Sequence, residues 1–291
     1  MKVLVTGASG LLGSRMLRAF PSDWQVTGTC HSRPVAGLVQ CPLSGRRSVT
    51  DLIREGGYDW VVHCAAIRSP DVCDKDPQRA MTVNAEGARQ MAVAAADAGA
   101  GIAFASTDYV FPGSRPPYAE RDSTAPLNTY GESKLAGEHH VLSVPRGLVV
   151  RMPALYSLDL EAPNNLLGAT KAQLEQGKPV AADDLYVRYY TLAEEVAAAF
   201  AFLMAGGQRG LVHVSAHEAC TKLRFLMEAA GAMGLSPGLV VRSDPGPKAA
   251  QRPMDSHLGT GRYEQLGGPS FTGYSITLER LAGGGAACRS H

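Results

Sequence analysis

The stretch VTGASGLLGSR, residues 5 to 15, decides the fold class of this chain. Its three glycines form a G-x-x-G-x-x-G pattern between an apolar strand and an apolar-periodic helix. In such a turn the first glycine permits the tight bend, the second lets the backbone approach a phosphate, and the third allows close helix–strand packing. The free N–H groups at the helix start can hold a pyrophosphate, so we predict a dinucleotide site; a loop that uses glycine for packing alone is the alternative. The residues expected there are Gly7, Gly10, Leu11, Leu12 and Gly13.

Outward from this turn, short apolar strands alternate with helical patterns as far as residue 153. The predicted strands are KVLVTG, WQVTGTC, WVVHCAA, GIAFAST and GLVVRMP. One of the helices between them is a long Ala-rich segment, residues 76–99. Val-rich strands separated by helices are typical of parallel sheets that are covered on both faces. The sequence therefore predicts an α/β, doubly wound parallel sheet of the Rossmann type with a smaller C-terminal substrate lobe.

The alternation also gives domain boundaries. We expect a dinucleotide-binding domain over residues 1–153 plus about 186–216, where GLVHVSA returns to the sheet. We expect the substrate-binding lobe over about 154–185 and 217–281. The Gly-rich end, residues 282–291, has little to bury and is predicted to be a disordered tail.

Composition excludes several classes of protein. The 28 Lys and Arg residues balance 27 Asp and Glu residues, which argues against a nucleic-acid or anionic-membrane partner. No apolar run approaches the roughly 20 residues that cross a bilayer, and the N-terminus reads as a strand instead of a signal peptide. The six cysteines are scattered and no His/Cys cluster has zinc spacing, so we expect reduced thiols, no metal site and a cytoplasmic monomer or homodimer.

The end of the second strand indicates which dinucleotide binds. An acidic residue there would hold the ribose 2′-hydroxyl of NAD, but TGTCHSRP, residues 27–34, contains none. His31, Ser32 and Arg33 could meet a 2′-phosphate instead. We therefore predict that NADP(H) is preferred and that NAD(H) is possible; a solvated Arg33 without a ligand is the alternative.

The stretch TYGESKLAGE, residues 129–138, places Tyr130 and Lys134 one above the other on a predicted helix. Thr107 ends the preceding strand at the edge where doubly wound sheets bind ligands. Lys134 can hold the ribose hydroxyls and, as a cation, lower the pKa of Tyr130. Tyr130 would then give a proton to a carbonyl oxygen that Thr107 also contacts. Elsewhere a Tyr-x-x-x-Lys pair is most simply a surface pair, and the glycine turn favours the catalytic interpretation here.

Three further motifs carry a resemblance. They are STDYVFPG at 106–113, PLNTYGESKLAGE at 126–138 and QRPMDSHLGTGRYEQLG at 251–267. Together with the glycine turn they resemble the extended short-chain dehydrogenase/reductase superfamily and, within it, the dTDP-4-dehydrorhamnose reductases, over residues 1 to about 268. The resemblance implies Thr107, Tyr130 and Lys134 as the catalytic triad. Beside the cofactor it implies Cys64, Ala65, Ala66, Met152 and Pro153. Beside the substrate it implies Asp108, Tyr109 and Arg252 through Ser256.

HCAAIRSPDVCDKDP and the same C-terminal motif also resemble the regulatory β subunit of methionine adenosyltransferase, which keeps the reductase fold but serves as a binding partner. Two departures from the reductase pattern lie on the substrate side. Tyr190 stands where a proline is expected, and the end of the chain lacks an aromatic-rich closing helix. The substrate side therefore carries the least specific part of the resemblance.

Other residues leave two interpretations open. Arg188 could bind a nucleotide phosphate or form a surface ion pair. Asn84 could order the active site or be a satisfied buried amide, and the Glu120 and Asp122 pair reads as a solvated turn. From the glycine turn, the triad and the motifs that carry the resemblance, we predict an NADPH-dependent reductase of a keto group, the 4-keto group of a nucleotide-activated deoxysugar. The alternatives are a regulatory subunit and a reductase of a non-sugar ketone or imine.

Overall fold

The computed structural model describes residues 1–31, 34–41, 48–246 and 249–287. The strands, in chain order, are β1 (Lys2–Thr6), β2 (Gln25–Cys30), β3 (Val39–Gln40), β4 (Trp60–His63), β5 (Gly101–Ala105), β6 (Gly147–Arg151), β7 (Leu155–Tyr156), β8 (Val180–Ala182), β9 (Thr191–Leu192), β10 (Gly210–His213) and β11 (Val240–Arg242). The α-helices are α1 (Leu11–Ala19), α2 (Val49–Gly56), α3 (Pro70–Lys75), α4 (Pro77–Ala80), α5 (Gly87–Asp97), α6 (Thr129–Leu142), α7 (Leu166–Leu174), α8 (Ala193–Ala205), α9 (Lys222–Ala232), α10 (Gly261–Gln265) and α11 (Tyr274–Ala287).

Within the described ranges, seven parallel strands form the central sheet, in the order β10-β6-β5-β4-β1-β2-β3. Every residue of β4 and of β6 is buried, as expected for parallel strands covered on both faces. Helices α1 and α8 pack on one face, and α2, α5 and α6 pack on the other. The predicted doubly wound α/β class is confirmed. None of the helices in the described part of the chain combines the length and hydropathy that crossing a bilayer requires.

The Ala-rich segment predicted as one regular helix is interrupted. After α4 the chain makes a π-helical segment, Met81–Glu86, before it resumes as α5. Asn84 lies in this segment and is fully buried, and its side chain bonds the backbone N–H and C=O of Ile67. A π turn widens the helix by one residue and is often found near functional sites. The expected long helix over 76–99 is thus helical from residue 77 to residue 97, with a π-helical segment inside it.

One hydrophobic core lies on each face of the sheet, and a third core lies apart from it. It joins α7, α9 and α11 with two small parallel pairs, β8 with β11 and β7 with β9. Most of its residues come from the stretches expected to form the substrate lobe. Tyr263 of α10 packs instead into the core of the main sheet, together with the half-buried Leu266 and Phe271. The chain between α10 and α11 thus fastens the lobe to the sheet.

A helix closes the chain where a disordered tail was expected. Helix α11 continues to Ala287, residues 288–291 lie outside the described part, and the disordered tail stays a prediction. Tyr274 and Leu278 are buried against α9 and fix the helix to the lobe. The Tyr274 ring meets that of Phe225 edge to face, with centroids 5.5 Å apart.

Candidate active site

The glycine turn is built for an anion. Gly7 has a φ of +72°, and a Cβ at this position would lie 2.7 Å from the backbone nitrogen of Ala65. A Cβ at Gly13 would lie 2.5 Å from the carbonyl oxygen of Gly7. Helix α1 begins at Leu11 without a side-chain cap and without an acidic residue in its first turn. Its N-terminal N–H groups, including that of Leu12, are therefore free to bind a pyrophosphate, and the residues present fit a dinucleotide.

The end of β4 lies against this turn. Cys64 donates its N–H to the carbonyl oxygen of Thr6 at 3.1 Å, and the backbone of Ala65 faces Gly7. Burial raises the pKa of the Cys64 thiol to about 12, so this thiol stays protonated. Ala66 is half-buried beside it. The structure thus brings the Cys-Ala-Ala stretch and the glycine turn together, as the resemblance implies.

Only one of the three residues expected at the 2′-position can be placed. His31 is exposed directly after β2, and Ser32 and Arg33 lie outside the described residues. The preference for NADP(H) stays a prediction. Met152 and Pro153 are buried just beyond β6, and the carbonyl oxygen of Met152 accepts the Asp108 N–H at 3.1 Å.

Helix α6 is set close to the sheet by its own residues. Asn128 caps it by accepting the Gly131 N–H at 2.9 Å. A Cβ at Gly137 would lie 2.8 Å from the Phe104 ring and 3.0 Å from the carbonyl oxygen of Asn84, so only glycine permits this approach. Asn84 also donates to Ser133 of α6 at 2.9 Å. Asn84 is thus a satisfied buried amide that at the same time orders the helix carrying Tyr130.

The predicted triad is partly assembled. The Thr107 hydroxyl lies near enough to the Tyr130 phenol to lower its pKa against the effect of burial, and the Tyr109 ring meets the Tyr130 ring edge to face, with centroids 6.0 Å apart. Lys134 is only 2% exposed, and its Nζ lies 3.7 Å from the centroid of Phe104. The structure therefore places the phenol and the hydroxyl together, with the amine deeper against the sheet.

The expected effect of Lys134 on Tyr130 is wrong. Burial raises the pKa of Tyr130 well above its ordinary value, and the charge of Asp108 adds to this effect. Burial also lowers the pKa of Lys134 to about 7, against weaker opposing effects of Cys64 and Glu138. The environment of this pair therefore disfavours charge on both groups, and the phenol of Tyr130 keeps its proton.

Asp108 lies behind Thr107 and Tyr130. One carboxylate oxygen accepts from the Thr107 hydroxyl at 3.2 Å, and the other accepts from the Ser256 hydroxyl at 2.5 Å. The residue is 3% exposed, and burial raises its pKa. Asp108 therefore orients Thr107, while its neighbour Tyr109 faces the cavity.

A cavity of about 510 Å³ opens beside Tyr109. The basic side chains that line it are Arg68, Arg188, Lys222 and Arg252. Arg188 is 6% exposed and donates to the carbonyl oxygens of Val187 and Pro253, so its interpretation as a surface ion pair is wrong. Its guanidinium lies over the rings of Tyr109 and Tyr186, 5.4 and 5.0 Å from their centroids. Tyr190, the departure from the reductase pattern, lines the same cavity.

Residues 250–256, here called the bridging segment, connect the lobe to the site. Ala250 and Arg252 both donate to Asp71 of α3, at 2.9 and 2.5 Å. The carbonyl oxygen of Gln251 accepts from Asn128, the cap of α6, at 2.7 Å. Ser256, already described, bonds Asp108. The bridging segment thus contacts the start of the Tyr130 helix and the neighbour of Thr107.

Below Thr107 and Tyr130 lies a polar network that the sequence analysis missed. Glu138 accepts from Ser106 and from Arg151, and Arg151 also lies 3.4 Å from His213. All four are buried. The available signal was the spacing, because Glu138 follows Lys134 by one more helical turn on the same face.

Acidic and sulfur ligands do not gather elsewhere. Across the described ranges no three His, Cys, Asp or Glu side chains form a group that could hold a metal ion. His217 and His257 lie 3.0 Å apart between ring nitrogens, and Nε2 of His217 also lies 2.9 Å from the Thr260 hydroxyl and 3.8 Å from a carboxylate oxygen of Glu264.

Comparison with known proteins agrees with this geometry. The family model described as the RmlD substrate binding domain matches residues 1–283. The chain is 33% identical over 276 residues to methionine adenosyltransferase 2 subunit beta of Danio rerio, covering 91% of this chain and 85% of that protein. It is 28% identical to dTDP-4-dehydrorhamnose reductase of Sinorhizobium fredii, covering 97% and 96% of the two chains.

Among solved structures, the chain is similar to dTDP-4-dehydrorhamnose reductase from Bacillus anthracis in complex with NADP. The TM-score is 0.84 and the identity 25%, with 96% of this chain and 98% of the other covered. The relation thus spans the sheet and the lobe together. By its sequence and by its fold, this chain belongs to the RmlD substrate binding domain family.

Proposed function

We propose that this chain is an NADPH-dependent reductase of a keto group, most specifically the 4-keto group of a nucleotide-activated deoxysugar. The observation that carries the proposal is the nearness of the Thr107 hydroxyl to the Tyr130 phenol, just beyond β5 at the carboxyl edge of the sheet. This pair lies between a glycine turn that fits a dinucleotide and a cavity that presents arginines. The similarity to dTDP-4-dehydrorhamnose reductases supports the same reaction class.

In this mechanism the nicotinamide supplies a hydride to the carbonyl carbon. Tyr130 donates its phenolic proton to the carbonyl oxygen, and Thr107 stabilises the charge that develops on the same oxygen. Because burial keeps the phenol of Tyr130 protonated, the proton is present when the reaction needs it. Lys134 would hold the ribose hydroxyls of the bound cofactor. Asp108 keeps the Thr107 hydroxyl oriented.

The cavity supports a nucleotide-linked substrate. Arginine side chains suit diphosphate oxygens because the guanidinium donates two parallel hydrogen bonds. Arg188 and Arg252 line the cavity together with Tyr109. The half-buried ring of Tyr186 offers a surface for stacking a base. We propose the third core and the bridging segment as the substrate-binding part of the chain.

NADPH is the proposed reductant. The absence of an acidic residue in TGTCHSRP and the exposed His31 support a 2′-phosphate site. The relative from Bacillus anthracis was solved with NADP. Titration of the purified chain with NADPH and with NADH, followed by fluorescence, tests this preference directly.

Replacing Tyr130 with Phe tests the reaction. NADPH oxidation with dTDP-4-keto-6-deoxysugars should fall by at least about 100-fold, while NADPH affinity should stay within about twofold because the ring remains. Tyr58→Phe is the matched control, since Tyr58 precedes β4 at the opposite edge of the sheet. Turnover that survives the Tyr130 change would exclude this mechanism.

A second candidate is a binding subunit. It is favoured by the 33% identity to methionine adenosyltransferase 2 subunit beta over 91% of the chain. That role predicts tight co-purification with an adenosyltransferase and no turnover with any keto sugar. The reductase proposal predicts turnover by the isolated chain, so one activity panel separates the two.

A further inference from the structure

Glu138 and Arg151 form a buried ion pair beneath the site. Their side chains are 1% and 5% exposed, and Arg151 donates to Glu138 through Nη2 at 2.6 Å and through Nε at 2.9 Å. Ser106 completes the shell of the carboxylate by donating its hydroxyl at 2.5 Å. Both oxygens of Glu138 are therefore satisfied by neighbours on the sheet.

The pair joins the three elements that carry the proposed chemistry. Glu138 lies on α6, one turn after Lys134 and two turns after Tyr130. Ser106 immediately precedes Thr107 at the end of β5, and Arg151 ends β6 immediately before the Met-Pro step. A shift of Glu138 would therefore move α6 relative to both strand ends.

Glu138 differs from the other groups around Lys134 by its negative charge. From β4, His63 and Cys64 face the amine, and burial keeps both of them neutral. From β5 the Phe104 ring covers it. Glu138 is the carboxylate whose charge raises the pKa of Lys134 against burial, and its partner Arg151 points away toward His213 on β10.

Stability alone is a weak reason for such a pair. Removing two charges from water costs about as much as their attraction returns, so apolar side chains of similar volume often stabilise a protein as well. The position of the pair, one turn from the amine, gives it another role.

We propose that Glu138 is a positioning residue for this site, which fixes α6 against the ends of β5 and β6 and holds a carboxylate one helical turn from the amine of Lys134. The inference rests on the proposed function for the role of Lys134 in the reaction. The bonds of Glu138 to Ser106 and Arg151 hold whichever substrate the chain reduces.

The test is the titration of Lys134 itself. The chain has seven lysines, so the ¹³Cε signals of ¹³C-lysine-labelled protein are few, and the signal missing in Lys134→Met identifies the residue. Glu138→Gln should move the titration midpoint of Lys134 down by about one pH unit, because the favourable charge is lost and the charge of Arg151 is left uncompensated. Ser106→Ala is the matched control: it removes a hydrogen bond from Glu138 but no charge, and should leave the midpoint in place.

An unchanged midpoint in Glu138→Gln, or an equal shift in Ser106→Ala, would overturn the proposal. If Glu138→Gln does not fold, the double variant Glu138→Gln/Arg151→Met removes both buried charges, and its Lys134 midpoint should still lie below that of the wild type. NADPH affinity measured across pH adds a second readout: its alkaline loss should begin at lower pH in Glu138→Gln. A chain that shows the shift but reduces no keto sugar would refute the proposed function and leave this inference standing.

Discussion

Replacing Lys134 with methionine should stabilise the chain at neutral pH, although it removes an amine that the proposed reaction uses. The side chain is 2% exposed, and burial lowers its pKa from 10.5 to about 7. Methionine keeps most of the length and the apolar contact with Phe104 without carrying a charge. The expected gain follows from the difference in proton binding between the folded and unfolded chains.

The sign and size of the effect can be worked out. Between pH 7 and 10.5 the unfolded chain binds the lysine proton more tightly, so the folded state loses stability as the pH falls through this window and loses no more below it. Each pKa unit between the two states is worth about 1.4 kcal/mol, which gives about 5 kcal/mol at pH 7. The ammonium contact with the Phe104 ring returns about 2 kcal/mol. We therefore expect Lys134→Met to be more stable by about 3 kcal/mol near pH 7.

Urea unfolding followed by circular dichroism at pH 7, 8.5 and 10 measures this difference. The advantage of Lys134→Met over the wild type should shrink steadily toward pH 10. Lys171→Met is the matched control, because Lys171 is 37% exposed on α7 and should show little dependence on pH. A variant that is less stable than the wild type, or an advantage that does not change with pH, would refute the reasoning.

Two further predictions concern the sheet edge. Gly13→Ala places a methyl group 2.5 Å from the Gly7 carbonyl oxygen, so NADPH affinity measured by fluorescence should fall at least about tenfold while the circular dichroism spectrum is kept; unchanged affinity would contradict the assigned turn. Below pH 6.5 the chain should lose stability as the pH falls toward 3, because burial lowers the pKa of His63 and of His213 to about 3 and only the unfolded chain takes up these protons. His213→Gln should flatten that loss in urea unfolding, and an equally steep loss in this variant would count against it.

The sequence predicts the sheet well because buried parallel strands are recognisable as short, continuous apolar runs. β4 and β6 are short Val-rich runs that are buried at every position, and the glycines that precede α1 have few other uses. The π-helical segment is different: its apolar spacing resembles that of an ordinary helix, and only the bonds of Asn84 to Ile67, 17 residues away, single it out. Such a contact has no local signature.

Electrostatics at the site were predicted less well than positions. The spacing of Tyr130 and Lys134 gave their shared helix face correctly, but the pKa of Tyr130 depends on burial by chain segments distant in sequence. The bond of Asp108 to Ser256 spans 148 residues. A short motif contains neither the burial nor the partner, so the direction of a pKa shift needs the assembled fold.

The bridging segment limits how this family can exchange parts. Its contacts with Asp71, Asn128 and Asp108 cross from the end of the chain to its first half. A hybrid that takes its C-terminal part from a relative would gain that relative's bridging segment but keep Asp71, Asn128 and Asp108 of this chain. Productive recombination would have to transfer these three residues together with the bridging segment. Altered substrate choice should therefore arise more readily by point changes in the cavity wall than by shuffling whole lobes.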